Sequence, residues 1–223
     1  MIIDLKTLTL SVGDHESSED GMCLIEACAY IAGEPFSAYP KCVSLLLADI
    51  GKQLNDLLPN RERQKLAPLI PYLIGTADDG LDKERSALAW KWIVHIYTPT
   101  WLRLAGLENH AATLEATDPN DALASFIAAR DAAAGNSWHV VRSTLAKNAK
   151  NAARNASWFI AWDAARYWDA TGDVAEDASW SAICAVAKDN QTALRTTSND
   201  LRASFTQVYF DMVMLNKGTE PTL

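Results

Sequence analysis

One carboxylate set in an otherwise apolar run constrains this chain most. The run is Met22 to Ala32, MCLIEACAYIA, and the carboxylate is Glu26. It has no Gly or Pro and consists mostly of good helix formers, so it reads as a helix. Ser17, Ser18, Glu19 and Asp20 precede it, bringing capping oxygens and acids to the positive helix end. Gly33 and Pro35 stop it. At about 100° per residue, Cys23, Glu26, Ala27 and Tyr30 share one face and Leu24, Cys28 and Ile31 another. Ile25, Ala29 and Ala32 fill the rest. A helix that is apolar all round is a buried helix. A charge on it must be paired, protonated or functional.

Two roles for Glu26 follow. The structural one pairs it with a base from a later segment, Arg61 or Arg63, or has it cap a helix end. The chemical one joins it to Cys23, three residues earlier, and to His15 in the acidic loop Asp14 to Asp20. That set has the composition of a Cys/His/acid site, with Cys23, Glu26 and His15 as catalytic candidates. Adding Cys42 gives an enzyme or metal reading at His15, Cys23, Glu26 and Cys42. Cys23 and Cys28 stand about 140° apart on a helix and cannot grip one ion. The expectation is a structural Glu26, with no resident metal and no cofactor.

Elsewhere the periodicity is helical. Pro40 is placed to start a helix carrying Cys42, Val43, Leu46, Leu47, Ile50, Leu54 and Leu57 on its apolar stripe, and Pro59 ends it. Arg61 to Ile74 reads as two short pieces broken at Pro68 and Pro71 and closed by Gly75. Asp82 to Tyr97 puts Leu88, Trp92 and Ile96 on one stripe. A short helix starts at Pro99 and runs through Leu107. Asp118-Pro119 opens another over Ala122 to Ala134. From Asn136 alanine dominates with tryptophans among it, and Trp138, Val141, Leu145, Ala149, Ala152, Ala156 and Phe159 trace a long stripe. Gly172 reads as a stop. Asp173 to Leu194 and Asn199 to Leu215 read as two final helices joined through Thr196 to Ser198.

The fold expected is all-α, an irregular multi-helix bundle of about eight to ten helices with long Ala/Trp-rich ones in the C-terminal half. A helical region over 1–116 carries the Cys/Glu motif, and an Ala/Trp-rich region covers 117–223, together forming one continuous globular unit.

Net charge −8 and a pI near 5.0 argue against a nucleic-acid partner. No apolar run approaches the ~20 residues of a membrane span, so no membrane partner is expected. The first ten residues lack signal-peptide architecture. The four cysteines show no disulfide spacing, and the chain reads as cytoplasmic with reduced thiols. The sequence holds no phosphate loop, nucleophile elbow, HExxH or CxxC. His95 and His139 lie on apolar faces, as satisfied core histidines do. Trp90, Trp92 and Trp101 are candidates for a ligand-binding wall. Trp90 and Trp92 point about 200° apart, so at least one must meet another helix layer, a partner or solvent.

A longer string of residues carries a resemblance. Gly21-Met22-Cys23, Glu26-Ala27, Ala29-Tyr30, Ala32-Gly33-Glu34, Ser37, Pro40 and Cys42 begin it. Asn55-Asp56, Arg61, Leu66, Pro68, Pro71, Gly75-Thr76 and Thr100 to Leu107 continue it. Over roughly residues 13 to 115 this resembles an uncharacterised helical family of bacterial and phage proteins. The Ala/Trp-rich remainder is similar to helical segments of some immunity proteins. The resemblance brings no catalytic residues. It implies a phage or mobile-element setting, where small acidic helical proteins often act by binding. A protein-binding or inhibitory module, of anti-defence or immunity type, is the function expected. The alternatives are the enzyme or metal protein above and a phage structural or assembly component, which implies a homo-oligomer.

Overall fold

Three- and four-residue apolar spacing with Pro and Gly punctuation produces an all-α, multi-helix bundle, as expected. The computed structural model describes residues 8–134, 150–153, 161, 169–187 and 190–215. Its helices are α1 (Leu24–Ala32), α2 (Leu45–Leu57), α3 (Asn60–Arg63), α4 (Ile70–Leu73) and α5 (Asp82–Trp92), followed by α6 (Thr98–Leu104), α7 (Glu108–Ala116), α8 (Leu123–Ala134), α9 (Asp169–Ala187) and α10 (Gln191–Met214). A 3-10 stretch, Gln64–Leu69, joins α3 to α4, and a π turn, Ile93–Tyr97, joins α5 to α6. Among the described residues no strand occurs, and no helix is long and apolar enough to cross a membrane.

The chain forms two compact units. The first joins the residues up to Arg85 with those from Thr206 onward; the second is Ser86–Phe205. This division differs from the 1–116 and 117–223 regions read from composition.

In the first unit, α1 buries Leu24, Ile25, Cys28 and Ala29 completely. Against them lie Leu46, Leu47, Ile50 and Leu54 of α2 and Ile70 and Leu73 of α4, and Tyr209 of α10 meets Gly51 beside Ile25. Helix α2 starts at Leu45 rather than near Pro40, because Ser44 is the cap. Its Oγ accepts from the Leu47 amide at 3.4 Å and donates to Asp82 Oδ1 at 2.6 Å. At Gly51 an added Cβ would collide with the Tyr209 hydroxyl and stand 3.0 Å from Ile25 Cδ1. That hydroxyl donates to the Leu47 carbonyl at 3.1 Å, so the missing side chain is what admits it. Arg85 is fully buried between Asp79 and Asp82, and its Nε donates to the Met212 carbonyl at 3.2 Å.

The second unit is built on small residues. Helix α8 buries Phe126, Ala129 and Ala133, with Ala122 buried just before it, and α9 packs closely on it with Ala175, Ala178, Ala182 and Ile183. Small side chains let the axes approach, and the aromatics fill what remains. Gly172 does not stop a helix; it is buried inside α9. Nor does a break occur at Thr196 to Ser198. Ser198 Oγ donates to the Leu194 carbonyl at 2.6 Å, and α10 runs on. The π turn adds a residue to one turn and breaks the expected stripe. Trp92 stays buried while Ile96 is 42% exposed. The stripe from Trp138 to Phe159 lies largely outside the described residues, apart from Ala152, which is buried.

Candidate functional site

The first turn of α1 has amides with no helical acceptor. Cys23 is the N-cap and Glu26 the third helical residue, so the pair forms a capping box with cysteine in the place usually held by serine or threonine. Glu26 Oε2 accepts the Cys23 amide at 2.8 Å. The same carboxylate accepts the His15 amide on Oε1 at 2.9 Å and faces His15 Nδ1 from Oε2 at 2.8 Å. Glu26 is only 1% exposed. Burial works against its charge, but the amides of Cys23 and His15 and the His15 ring outweigh it, and the carboxyl is held below the ordinary glutamate range.

His15 is brought there by a segment fixed along its length. The Ser11 amide donates to the Met22 carbonyl at 2.8 Å, and Gln64 exchanges bonds with the backbone of Leu10 at 2.8 and 2.9 Å. Gly21 has φ +125°, and a Cβ there would stand 2.9 Å from His15 Nε2. Glycine is therefore required both for the backbone and for the imidazole against it.

Of the four candidates, the structure joins His15, Cys23 and Glu26 and places Cys42 elsewhere. Cys42 is half-buried beside Glu34, its carbonyl accepts the Gly75 amide at 2.7 Å, and burial with that carboxylate pushes its thiol up to about 11. Burial, with the Glu26 charge adding to it, pushes the Cys23 thiol up to about 12. A thiol so raised is protonated at neutral pH and is a poor nucleophile. His15 turns Nδ1 to Glu26, which leaves Nε2 as its other ring nitrogen, beside Gly21. Among the described residues no group of three or more His, Cys, Asp or Glu is placed to hold a metal ion. All four cysteines are free.

Glu26 thus caps a helix end, one of the two structural roles expected of it; it does not pair with Arg61 or Arg63. Arg63 is buried at the other end of α2, donating to the Asn55 carbonyl at 2.6 Å and the Leu58 carbonyl at 2.9 Å. Sequence reasoning missed Asn55. Its Oδ1 accepts the Leu24 amide at 3.2 Å and its Nδ2 donates to the Ser11 carbonyl at 2.7 Å, so it completes the cap. The available signal was a polar residue on the stripe of Leu47, Gly51, Leu54 and Leu58.

Trp90, Trp92 and Trp101 are fully buried in the second unit. Trp90 donates to the Pro119 carbonyl at 2.9 Å and packs on Phe126. Trp92 donates to Ser204 Oγ at 3.0 Å between Tyr97 and Phe205. Both tryptophans therefore meet other packed elements. An open depression of about 340 Å³ lies at the start of α10, between Asn151, Gln191, Thr192 and Arg195, and none of the three tryptophans lines it. His95, as expected of a satisfied histidine, has Nε2 at 2.8 Å from the Thr117 carbonyl. His139 lies outside the described residues.

Large apolar side chains meet solvent on both units: on the second Ile96 is 42%, Leu123 40% and Ile127 37% exposed, and the most exposed lie on the first. Val12 is 54%, Tyr39 53% and Leu45 64% exposed. Lys52, seven residues along α2 from Leu45, places Nζ 5.0 Å from the Tyr39 ring centre and 2.9 Å from Asp14 Oδ2. The neighbouring Gly13 amide donates to Asp56 Oδ1 at 2.8 Å. Compared with protein-family models, curated proteins and solved structures, the chain matches none.

Proposed function

We propose that the chain is a protein-binding module acting by contact, of the anti-defence or immunity type that phages and mobile elements encode. The observation that carries this reading is the exposure of Val12, Tyr39 and Leu45, with the backbone after Val12 held by the bonds of Gly13 to α2 and of His15 to the cap of α1. Large apolar side chains exposed on a fixed scaffold suit a protein interface. The groups that an enzyme at this place needs are engaged otherwise: the thiol is protonated and the carboxylate is spent on amides. The resemblance to bacterial and phage proteins supports the setting. Free thiols agree with the cytoplasm.

The test is a photo-crosslinking residue at position 39, in cells that carry the gene. One discrete adduct is expected, absent when Leu45→Arg is added and absent from a crosslinker at exposed position 131. No adduct, or the same adducts from both positions, overturns the reading.

A further inference from the structure

We infer that the depression beside the first two turns of α10 is a binding site for a small phosphate ester of sugar type. It lies wholly in the second unit and draws on none of the contact residues Val12, Tyr39 and Leu45. Its volume of about 340 Å³ falls at the small end of the ~300–1,000 Å³ that ligand pockets span. The floor is fixed. Ala152, Leu194 and Ser198 are buried, and the Ser198 hydroxyl donates to the Leu194 carbonyl at 2.6 Å. The rim is polar and exposed, formed by Asn151, Gln191, Thr192 and Arg195. Gln191, Arg195 and Ser198 follow at steps of four and three, so one face of α10 presents them together. Gln191 is steadied by its Nε2, which donates to the Ala187 carbonyl at 3.0 Å.

Charge selects the ligand. Arg195 is the one ionised group among the described lining residues, in a chain of net charge −8. Arg85, Arg103 and Arg130 each hold a carboxylate, whereas among the described residues Arg195 holds none. A guanidinium presents a planar fork of donors that fits a phosphate. A phosphate ester carries about −1.5 to −2 charge near neutral pH, so it gains more from this unmatched cation than a carboxylate does. The amides of Asn151 and Gln191 and the hydroxyl of Thr192 both donate and accept, as a hydroxyl-rich body requires. Among the described residues no aromatic side chain lines the depression, so a nucleobase finds no stacking partner there.

Isothermal titration of the full chain tests this with ribose 5-phosphate, ribose, inorganic phosphate and adenosine monophosphate. Ribose 5-phosphate is expected to bind at least ~10-fold tighter than ribose, as a charge-assisted pair provides. It should also bind tighter than inorganic phosphate, which has no hydroxyl-rich body for the amides of the rim. Arg195→Gln weakens it by ~10-fold or more, and Arg195→Lys restores only part, because an ammonium lacks the fork. Arg61→Gln removes an exposed arginine of the first unit and leaves binding within about twofold. Arg195 is exposed, so its variants keep the wild-type melting temperature. No binding of ribose 5-phosphate, equal binding of ribose or of inorganic phosphate, or equal losses from Arg195→Gln and Arg61→Gln each overturns the inference. Adenosine monophosphate bound more tightly than ribose 5-phosphate overturns it as well, since the base then finds a partner.

Discussion

Glu26 holds His15 at two points, taking its backbone amide at 2.9 Å and its ring nitrogen at 2.8 Å, while the same carboxylate closes the cap of α1. One buried side chain therefore fixes both a helix start and the path of the segment before it.

Glu26→Gln keeps the shape and removes the charge. An amide has one acceptor oxygen for donors that two carboxylate oxygens now satisfy. Stability is expected to fall by about 1–3 kcal/mol. Urea denaturation measures it, and hydrogen exchange should quicken first at the amides of His15 and Cys23. Unchanged stability with unchanged exchange would refute the capping role.

Acid should reveal the same group. The Glu26 carboxyl titrates lower in the folded protein than in the unfolded chain. Its contribution is thus fully present above the unfolded value, about 4.3, and is lost as pH falls through the folded one. Urea midpoints between pH 7 and pH 3 should drop more steeply for the wild type than for Glu26→Gln, and the two curves should converge at the acid end. Parallel curves would mean that the carboxylate gains nothing from folding.

Gly51→Ala places a methyl group against the Tyr209 hydroxyl. Overpacking of this kind costs about 1–3 kcal/mol. Tyr209→Phe alone should cost about 1 kcal/mol through the lost bond to Leu47. Together the two should cost less than their sum, because the phenyl ring vacates the space. Strict additivity in thermal melts would contradict the contact.

Cys23, Cys28 and Cys184 are buried, and burial holds all three thiols above the ordinary range. In native protein at pH 8, Cys42 is expected to react first with a thiol reagent and the other three slowly. Unfolding should release all four. Rapid labelling of Cys23 in the native state would restore it as a nucleophile.

Trp92→Ala should cost about 3–5 kcal/mol, the range for removing a buried aromatic. A change near zero, read by urea denaturation, would place the ring on a surface instead.

Glu26 was legible as an anomaly because a lone acid on an apolar helix can be counted from the sequence. Cys23 and His15 were grouped with it, though in a chemical role, and Asn55 was missed because it reaches the same cap from another helix. The all-α class followed from spacing, which is a local property. The ends of the elements depended on tertiary circumstances. Pro40 looked like a start, yet Ser44 has the cap because Asp82 and Thr76 meet it there. Gly172 looked like a stop, yet a buried glycine among packed alanines continues a helix. The π turn at Ile93–Tyr97 has no compositional mark, and it alone moved Ile96 off the stripe of Trp92.

The first unit draws on both ends of the described chain, and this orders events during synthesis. The Leu47 carbonyl waits for Tyr209, 162 residues later, and Arg85 waits for the Met212 carbonyl, 127 residues later. A nascent chain halted before α10 has α1 and α2 without the wall that closes over them. The cost of bringing such distant segments together falls before their contacts can repay it, which slows folding. The part of this unit before Ser86 is therefore completed only when the residues after Phe205 have been made, while the interrupting stretch Ser86–Phe205 by then has all of its sequence in hand.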